Sequence, residues 1–129
     1  MKFNRRLTVT LLCGLAIGLA AGTAIQAQQT KPPPAYVIAE LDISDPAKFQ
    51  TYAQQVPGTL APFGGHFLVR RGKIEAVEGD APKGFAIIGF DSLEQANAWE
   101  NSPAYEAIKP IRHASAKTTV FIAEGLPSQ

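Results

Sequence analysis

Four polar side chains with acid-base or charge-binding chemistry lie on two segments that read as β-strands. Tyr36 and Glu40 share one parity of the first strand, and His66 and Arg70 share one parity of the second. Because alternate strand residues point to the same face, each pair is predicted to share a face. If both faces meet one interior, Glu40 or His66 is the candidate base and Arg70 the candidate anion-binding group. The structural alternative is an interface ion pair between Glu40 and Arg70, with His66 at a strand end.

Two aromatic residues flank the break Asn101-Ser102-Pro103 in the second helical segment. Trp99 and Tyr105 are candidate ligand-binding residues that form a lid over a cavity, or else core residues that fix the angle between two helix pieces. Arg112 and His113 follow near the end of that segment. They either supply cations to a pocket or interact with the helix C-terminal dipole.

The sequence lacks the motifs that bind metals and common cofactors. Its two histidines are 47 positions apart, and no His-x-His, His-Glu-x-x-His, phosphate-loop, dinucleotide or Gly-x-Ser-x-Gly pattern occurs. The single cysteine, Cys13, lies in the N-terminal segment. We therefore predict no metal site and no cofactor, with haem on one histidine as a weak alternative. Catalysis here has to be cofactor-free acid-base chemistry or oxygen chemistry driven by the substrate.

The N-terminus has the arrangement of a secretory signal peptide. Three basic residues precede an uncharged apolar stretch, Leu7 to Ala24, that ends in small residues. Residues 1–27 are predicted to be removed after Ala27, with Ala24 as the second choice, and the protein is predicted to be exported to the periplasm or secreted. A retained membrane anchor is the alternative, and Arg5-Arg6 leaves the twin-arginine route open.

Charge excludes two classes of partner for the remaining chain. Three of the 12 basic residues and none of the 11 acidic ones lie in residues 1–27, so the remainder has a net charge of −2. Nucleic-acid binding and polybasic membrane binding both need the opposite sign. We predict neither partner after cleavage.

The folded unit is predicted at residues 36–126, after a proline-rich linker at residues 28–35. Periodicity predicts strands at Tyr36–Ile43, His66–Arg71, Phe85–Phe90 and Thr118–Ala123, and a short hairpin arm at Ile74–Glu78. The first helix starts at Asp45-Pro46 and is expected to kink or split at Pro57-Gly58. The second starts at a capping box at Ser92. The order β-α-β-β-α-β is the α+β, ferredoxin-like split sandwich.

Hydrophobicity on both faces of the strands predicts a second subunit. Two helices cover only one face of a four-stranded sheet, yet the first and third strands are apolar at both parities. Burial of the second face by another copy gives a homodimeric α/β barrel. A bound lipid or an unrelated partner is the alternative.

The motifs resemble those of one bacterial family. The segments Leu60 to Gly72, Val77-Glu78-Gly79, Phe90-Asp91-Ser92 and Trp99 to Tyr105 are similar to the signature of domain of unknown function 1330. The resemblance implies a dimeric ferredoxin-like barrel, in a superfamily that includes small monooxygenases and muconolactone isomerases, and it implies no established reaction. His66 stands where the family usually has Arg, and Glu100 where an aromatic residue often follows Trp.

Three functions follow as expectations. The first is binding of a small apolar or anionic molecule in a cavity at the dimer interface. The second is a cofactor-independent monooxygenase or isomerase with His66 or Glu40 as base. The third is a purely structural dimer. The sequence does not distinguish an enzyme from a binding protein, and it does not identify a ligand.

Overall fold

A computed structural model of the chain describes residues 30–129. The predicted signal peptide and the first two residues of the predicted linker lie outside these residues. Lys31 to Pro34 has no regular secondary structure, and the first strand begins at Ala35. Among residues 30–129, no helix is long and apolar enough to cross a membrane.

Four strands and three helices follow in the predicted order. The strands are β1 (Ala35–Ile43), β2 (His66–Arg70), β3 (Gly84–Phe90) and β4 (Ala116–Glu124). The helices are α1 (Pro46–Leu60), α2 (Leu93–Glu100) and α3 (Pro103–Ser115), and a 3-10 turn, Ala61–Phe63, follows α1. The sheet has the order β2-β3-β1-β4, and every neighbouring pair is antiparallel. This confirms the α+β ferredoxin-like fold.

Capping side chains start the helices where the sequence predicts. The Asp45 carboxylate accepts a hydrogen bond from the Lys48 amide, with Pro46 at the first helical position. The Ser92 hydroxyl accepts from the Gln95 amide at 3.2 Å. Ser102 lies in the predicted break between the two helix pieces. Its hydroxyl donates to the Trp99 carbonyl at 2.7 Å and accepts from the Tyr105 amide at 3.3 Å. The same side chain thus closes α2 and opens α3.

The structure differs from two local predictions in part. Helix α1 continues through Pro57 to Leu60, so the expected split is absent. The segment Ile74–Glu78 forms no strand, and residues 71–83 connect β2 to β3 as a loop in which Val77 is fully exposed. Alternating apolar residues there satisfy the strand pattern but have no partner strand to pair with.

The core lies between the helices and one face of the sheet. It contains Val37 and Leu41 from β1, Ile88 and Phe90 from β3, and the buried aromatic residues of the helices. Gly65 is required where the chain turns from α1 into β2, since a Cβ there would lie 2.6 Å from Cε1 of Phe90. This close contact explains the second glycine of the Gly64-Gly65 pair.

Candidate functional site

A β-bulge in β2 decides which face each candidate residue occupies. Phe67 pairs with Ile88 and Val69 with Ile87, so Leu68 is the extra residue on β2. Beyond the bulge, the side chains of β2 point to the faces opposite to those that regular alternation predicts. Arg70 pairs with Ala86 on the face of the sheet that packs against the helices, called the helix face. The prediction that His66 and Arg70 share a face is therefore wrong.

The face of the sheet away from the helices is called the open face below. Tyr36, Glu40 and His66 all lie on it. His66 and Tyr36 are in one row, on either side of Gly89. Glu40 is exposed and four residues farther along β1, about 13 Å from Tyr36 at the usual rise of a strand. The predicted convergence of Glu40, His66 and Arg70 is absent from the chain described.

A cavity lies on the helix face instead, between the sheet and α1, α2 and α3. It has a volume of about 50 Å³ open to the centres of water molecules. Apolar residues from all four strands form its floor. The polar or aromatic residues of its lining are Phe49, Tyr52, Phe67, Arg70, Arg71, Trp99, Tyr105 and Arg112. We call this the helix-side cavity.

Three side chains form a buried polar network at its inner end. The hydroxyl oxygens of Tyr52 and Tyr105 are 2.8 Å apart, and Arg112 Nη1 donates to the Tyr105 oxygen at 2.9 Å. Burial raises the pKa of both tyrosines above their usual 10.0, so both hydroxyls stay protonated at neutral pH. The inner end of the cavity therefore presents hydrogen-bond donors.

Arg112 is a buried charge without an ionic partner. Its residue exposure is 6%, and it forms no salt bridge with any residue between 30 and 129. Nη2 contacts Nε2 of His113 at 3.3 Å, and Nε has no hydrogen-bond partner. Since a guanidinium only donates, Nε2 of His113 must accept. Of the two predicted roles of Arg112, its place in the lining of the cavity fits a cation supplied to a pocket. It also lies in the last turn of α3, where the helix dipole favours a cation. Its burial is the feature that the sequence does not indicate.

Trp99 and Tyr105 join α2 to α3 at the wall of the cavity. Their ring centroids are 3.9 Å apart, and each residue is 1% exposed. The Trp99 indole donates to the Thr59 hydroxyl at 3.0 Å, which ties α2 to α1. Both residues are buried and line the interior of the cavity, which fits the prediction that they are core residues. A lid would need them at the mouth of the cavity.

Arg70 lies at the mouth of the cavity and is held by helix α1. Its Nη2 donates to the Ala53 carbonyl at 2.8 Å. In a regular helix that carbonyl would accept from the amide of residue 57, but Pro57 has none. The guanidinium also lies over the Phe67 ring, 4.7 Å from its centroid.

Metal binding finds no support in the described part of the chain. Residues 30–129 contain no group of three or more His, Cys, Asp or Glu side chains arranged to hold a metal ion. The helix-side cavity has no carboxylate or histidine among its lining residues.

The sequence of the folded unit settles its family. Residues 34–126 match the family described as Domain of unknown function (DUF1330). The chain belongs to this family. In this DUF1330 protein, Gly64-Gly65 lies in the turn from α1 to β2, and Trp99 to Tyr105 forms the junction of α2 and α3. No curated protein matches the chain.

Solved structures share the DUF1330 fold at low sequence identity. The RPA0582 protein of unknown function from Rhodopseudomonas palustris has a TM-score of 0.60 at 12% identity, over 74% of this chain and 85% of that one. A hypothetical protein from Arabidopsis thaliana has a TM-score of 0.54 at 17% identity, over 78% and 94%. SnoaB, a cofactor-independent oxygenase from Streptomyces nogalater, has a TM-score of 0.53 at 11% identity, over 74% and 96%. At these identities the likeness shows the fold alone.

Proposed function

We propose that this protein binds a small, largely apolar molecule with an anionic or carbonyl oxygen in the helix-side cavity. The observation that carries the proposal is the buried Arg112 guanidinium, which has no carboxylate oxygen within 4.0 Å among the described residues. Glu100 lines a groove with Arg112 but forms its salt bridge with Lys109. An unpaired buried charge costs free energy, and a ligand oxygen next to Arg112 and Tyr105 offsets that cost. The site differs from the predicted interface cavity, since one chain supplies its lining.

Benzoate and toluene test this proposal, because they share a ring and differ in the carboxylate. We expect benzoate to bind the mature chain, as measured by calorimetry, and to bind the Arg112→Met variant at least about tenfold more weakly, the loss typical of a charge-assisted hydrogen bond. Toluene should bind both proteins equally. Replacement of a buried ion by an apolar side chain is often tolerated, and circular dichroism checks the fold. Equal benzoate affinity for both proteins, or no benzoate binding, contradicts the proposal.

A cofactor-independent monooxygenase or isomerase is the second candidate. It is favoured by the 2.9 Å contact between Arg112 and the Tyr105 hydroxyl, because two such donors stabilise an oxyanion formed from an enol or a phenol. Neither predicted base lies at this cavity, since Glu40 and His66 are on the open face, and binding therefore stands first. Oxygen uptake with hydroquinone tests the oxygenase form. A rate above autoxidation that is lost in Arg112→Met supports catalysis, and the autoxidation rate alone argues against it for this phenol.

A homodimer through the open face is part of the same proposal. Val69, Ile87, Ile38 and Phe121 pair in one row that crosses all four strands. Phe121 is 47% exposed and Leu68 52%. A second copy would bury this apolar row against its own. Sedimentation should give the dimer mass for the mature chain and the monomer mass for Phe121→Asp, with Gln54→Asp on the exposed side of α1 as a control away from the open face. A monomeric mature chain contradicts the proposal.

Export also belongs to this proposal, supported by the charge and apolar pattern of residues 1–27. Expression of the full chain in a bacterium, followed by mass spectrometry of the periplasmic fraction, should give a chain that begins at Gln28. A full-length chain in the membrane fraction would favour the retained anchor instead.

A further inference from the structure

The helix-side cavity has a strongly positive lining. Three arginines, Arg70, Arg71 and Arg112, line it, and no acidic residue does. This contrasts with the net charge of −2 for residues 28–129. None of the three arginines forms a salt bridge with another side chain in the part of the chain that the structure describes. The positive charge therefore stays available to a ligand.

The arginines lie at opposite ends of the cavity. Arg70 and Arg71 are exposed and stand at the end of β2, one edge of the sheet. Arg112 is buried, and it also lines a groove with Glu100 and residues of β4, the other edge. Neighbouring strands are about 4.8 Å apart, so the two edges are separated by roughly 14 Å. The floor between them is apolar, with Ala86, Ile88, Val37 and Val120.

Both arginines at the mouth are held in place before any ligand arrives. The Ala53 carbonyl and the Phe67 ring fix Arg70, as described above. Arg71 has a φ of 49°, its amide donates to the Phe85 carbonyl at 2.9 Å, and its guanidinium lies 5.6 Å from the Phe49 ring centroid. Prepositioned side chains lose less conformational entropy when they bind.

We propose that the ligand is a diacid, with two anionic groups separated by an apolar segment. One acidic group binds Arg112 at the inner end, the apolar segment lies on the floor of the cavity, and the second acidic group binds Arg70 and Arg71 at the mouth. This inference rests on the proposed function, because it assumes that the helix-side cavity is the binding site. It adds the second acidic group and the length of the ligand.

Linear acids of matched length test the proposal. Adipate and hexanoate have the same six-carbon chain, and only adipate has a second carboxylate. We expect calorimetry to show about fivefold tighter binding of adipate, the gain available from an exposed ion pair, and to show this gain shrinking as salt is added. Across the series from succinate to suberate, affinity should peak at one chain length, because the span between the arginines is fixed.

Variants assign the two acidic groups. The double variant Arg70→Gln/Arg71→Asn should remove the preference for adipate over hexanoate; Asn is chosen because it tolerates positive φ. Arg70→Lys should keep most of the adipate preference. The control Lys31→Gln/Lys48→Gln removes two positive charges outside the cavity lining and should change neither affinity.

The outcomes separate this inference from the proposed function. Equal affinities for adipate and hexanoate, both weakened by Arg112→Met, would overturn the diacid inference and leave the cavity proposal standing. An adipate preference that persists in Arg70→Gln/Arg71→Asn would also overturn the inference. Absence of binding for adipate, hexanoate and benzoate would overturn both.

Discussion

Arg70 occupies the hydrogen-bonding position that Pro57 leaves empty in helix α1. The Ala53 carbonyl has no amide donor four residues later, and Nη2 of Arg70 donates to it instead at 2.8 Å. The proline inside the helix and the cation at the cavity mouth are therefore one structural unit.

A double-mutant cycle tests this relationship. Arg70→Met should lower the free energy of unfolding by about 1–2 kcal/mol, because it leaves a partly buried carbonyl without its donor. In a Pro57→Ala background the same change should cost less than half as much, since the amide of residue 57 then bonds Ala53. Urea unfolding of the four proteins gives the coupling. Equal costs in both backgrounds would contradict it.

The second glycine of the Gly64-Gly65 pair gives a steric prediction. A Cβ on Gly65 would lie 2.6 Å from Cε1 of Phe90 and 2.7 Å from Cδ2 of Leu60, both in the core. We expect Gly65→Ala to lower the free energy of unfolding by about 1–3 kcal/mol through overpacking.

Gly58→Ala is the matched control, because Gly58 lies in α1 with nothing within 4 Å of an added Cβ. It should raise the free energy of unfolding by about 0.5–1 kcal/mol. Thermal unfolding of both variants checks the pair, and a neutral Gly65→Ala would show that the turn repacks freely.

The tyrosine pair predicts unequal costs for two similar substitutions. Tyr105→Phe removes the acceptor of Arg112 Nη1 and should cost about 2–3 kcal/mol, because a buried charged group loses its partner. Tyr52→Phe removes only the bond between the two hydroxyls and should cost about 1 kcal/mol. Chemical denaturation of both variants measures the difference, and a larger cost for Tyr52→Phe would contradict the role of Tyr105 as the partner of Arg112.

The same tyrosines predict a loss of stability in alkali. Their pKa values are raised above 10.0 in the folded chain by burial, so the unfolded chain releases these protons first. Their contribution to the free energy of unfolding is complete below pH 10 and is lost as the pH rises above it. The slope of that free energy is up to about 1.4 kcal/mol per pH unit for each tyrosine.

Urea unfolding between pH 8 and 11 measures that slope, and absorbance at 295 nm reports phenolate formation. Tyr52→Phe and Tyr105→Phe should each flatten the stability profile. If phenolate appears for Tyr52 and Tyr105 while the protein is still folded, the proposed cause of the slope is wrong.

The sequence predicts the fold well because its signals are local. Asp45-Pro46, Ser92 and Ser102-Pro103 start their helices through hydrogen bonds within three residues, and these signals are visible in a single chain. The alternation of β1 and β3 is also local, and it places Tyr36 and Glu40 correctly with respect to each other.

The candidate site was harder to predict because it depends on contacts between distant segments. Nothing in the residues of β2 marks Leu68 as a bulge, so regular alternation predicts the wrong face for Arg70. Arg112 looks like an ordinary basic residue near a helix end until α3 packs against Tyr52 of α1. Pro57 looks like a helix breaker until Arg70, 13 positions later, provides the missing donor.

The bulge at Leu68 gives β2 one residue more than the stretch of β3 that pairs with it. Deletion of Leu68 would remove the bulge and leave Val69 paired with Ile87 and Arg70 with Ala86, so Arg70 would stay on the helix face. The same residues paired without a bulge would instead turn Arg70 to the open face. The register of β2 against β3 therefore decides whether this positive charge lies at the ligand cavity or at the subunit interface.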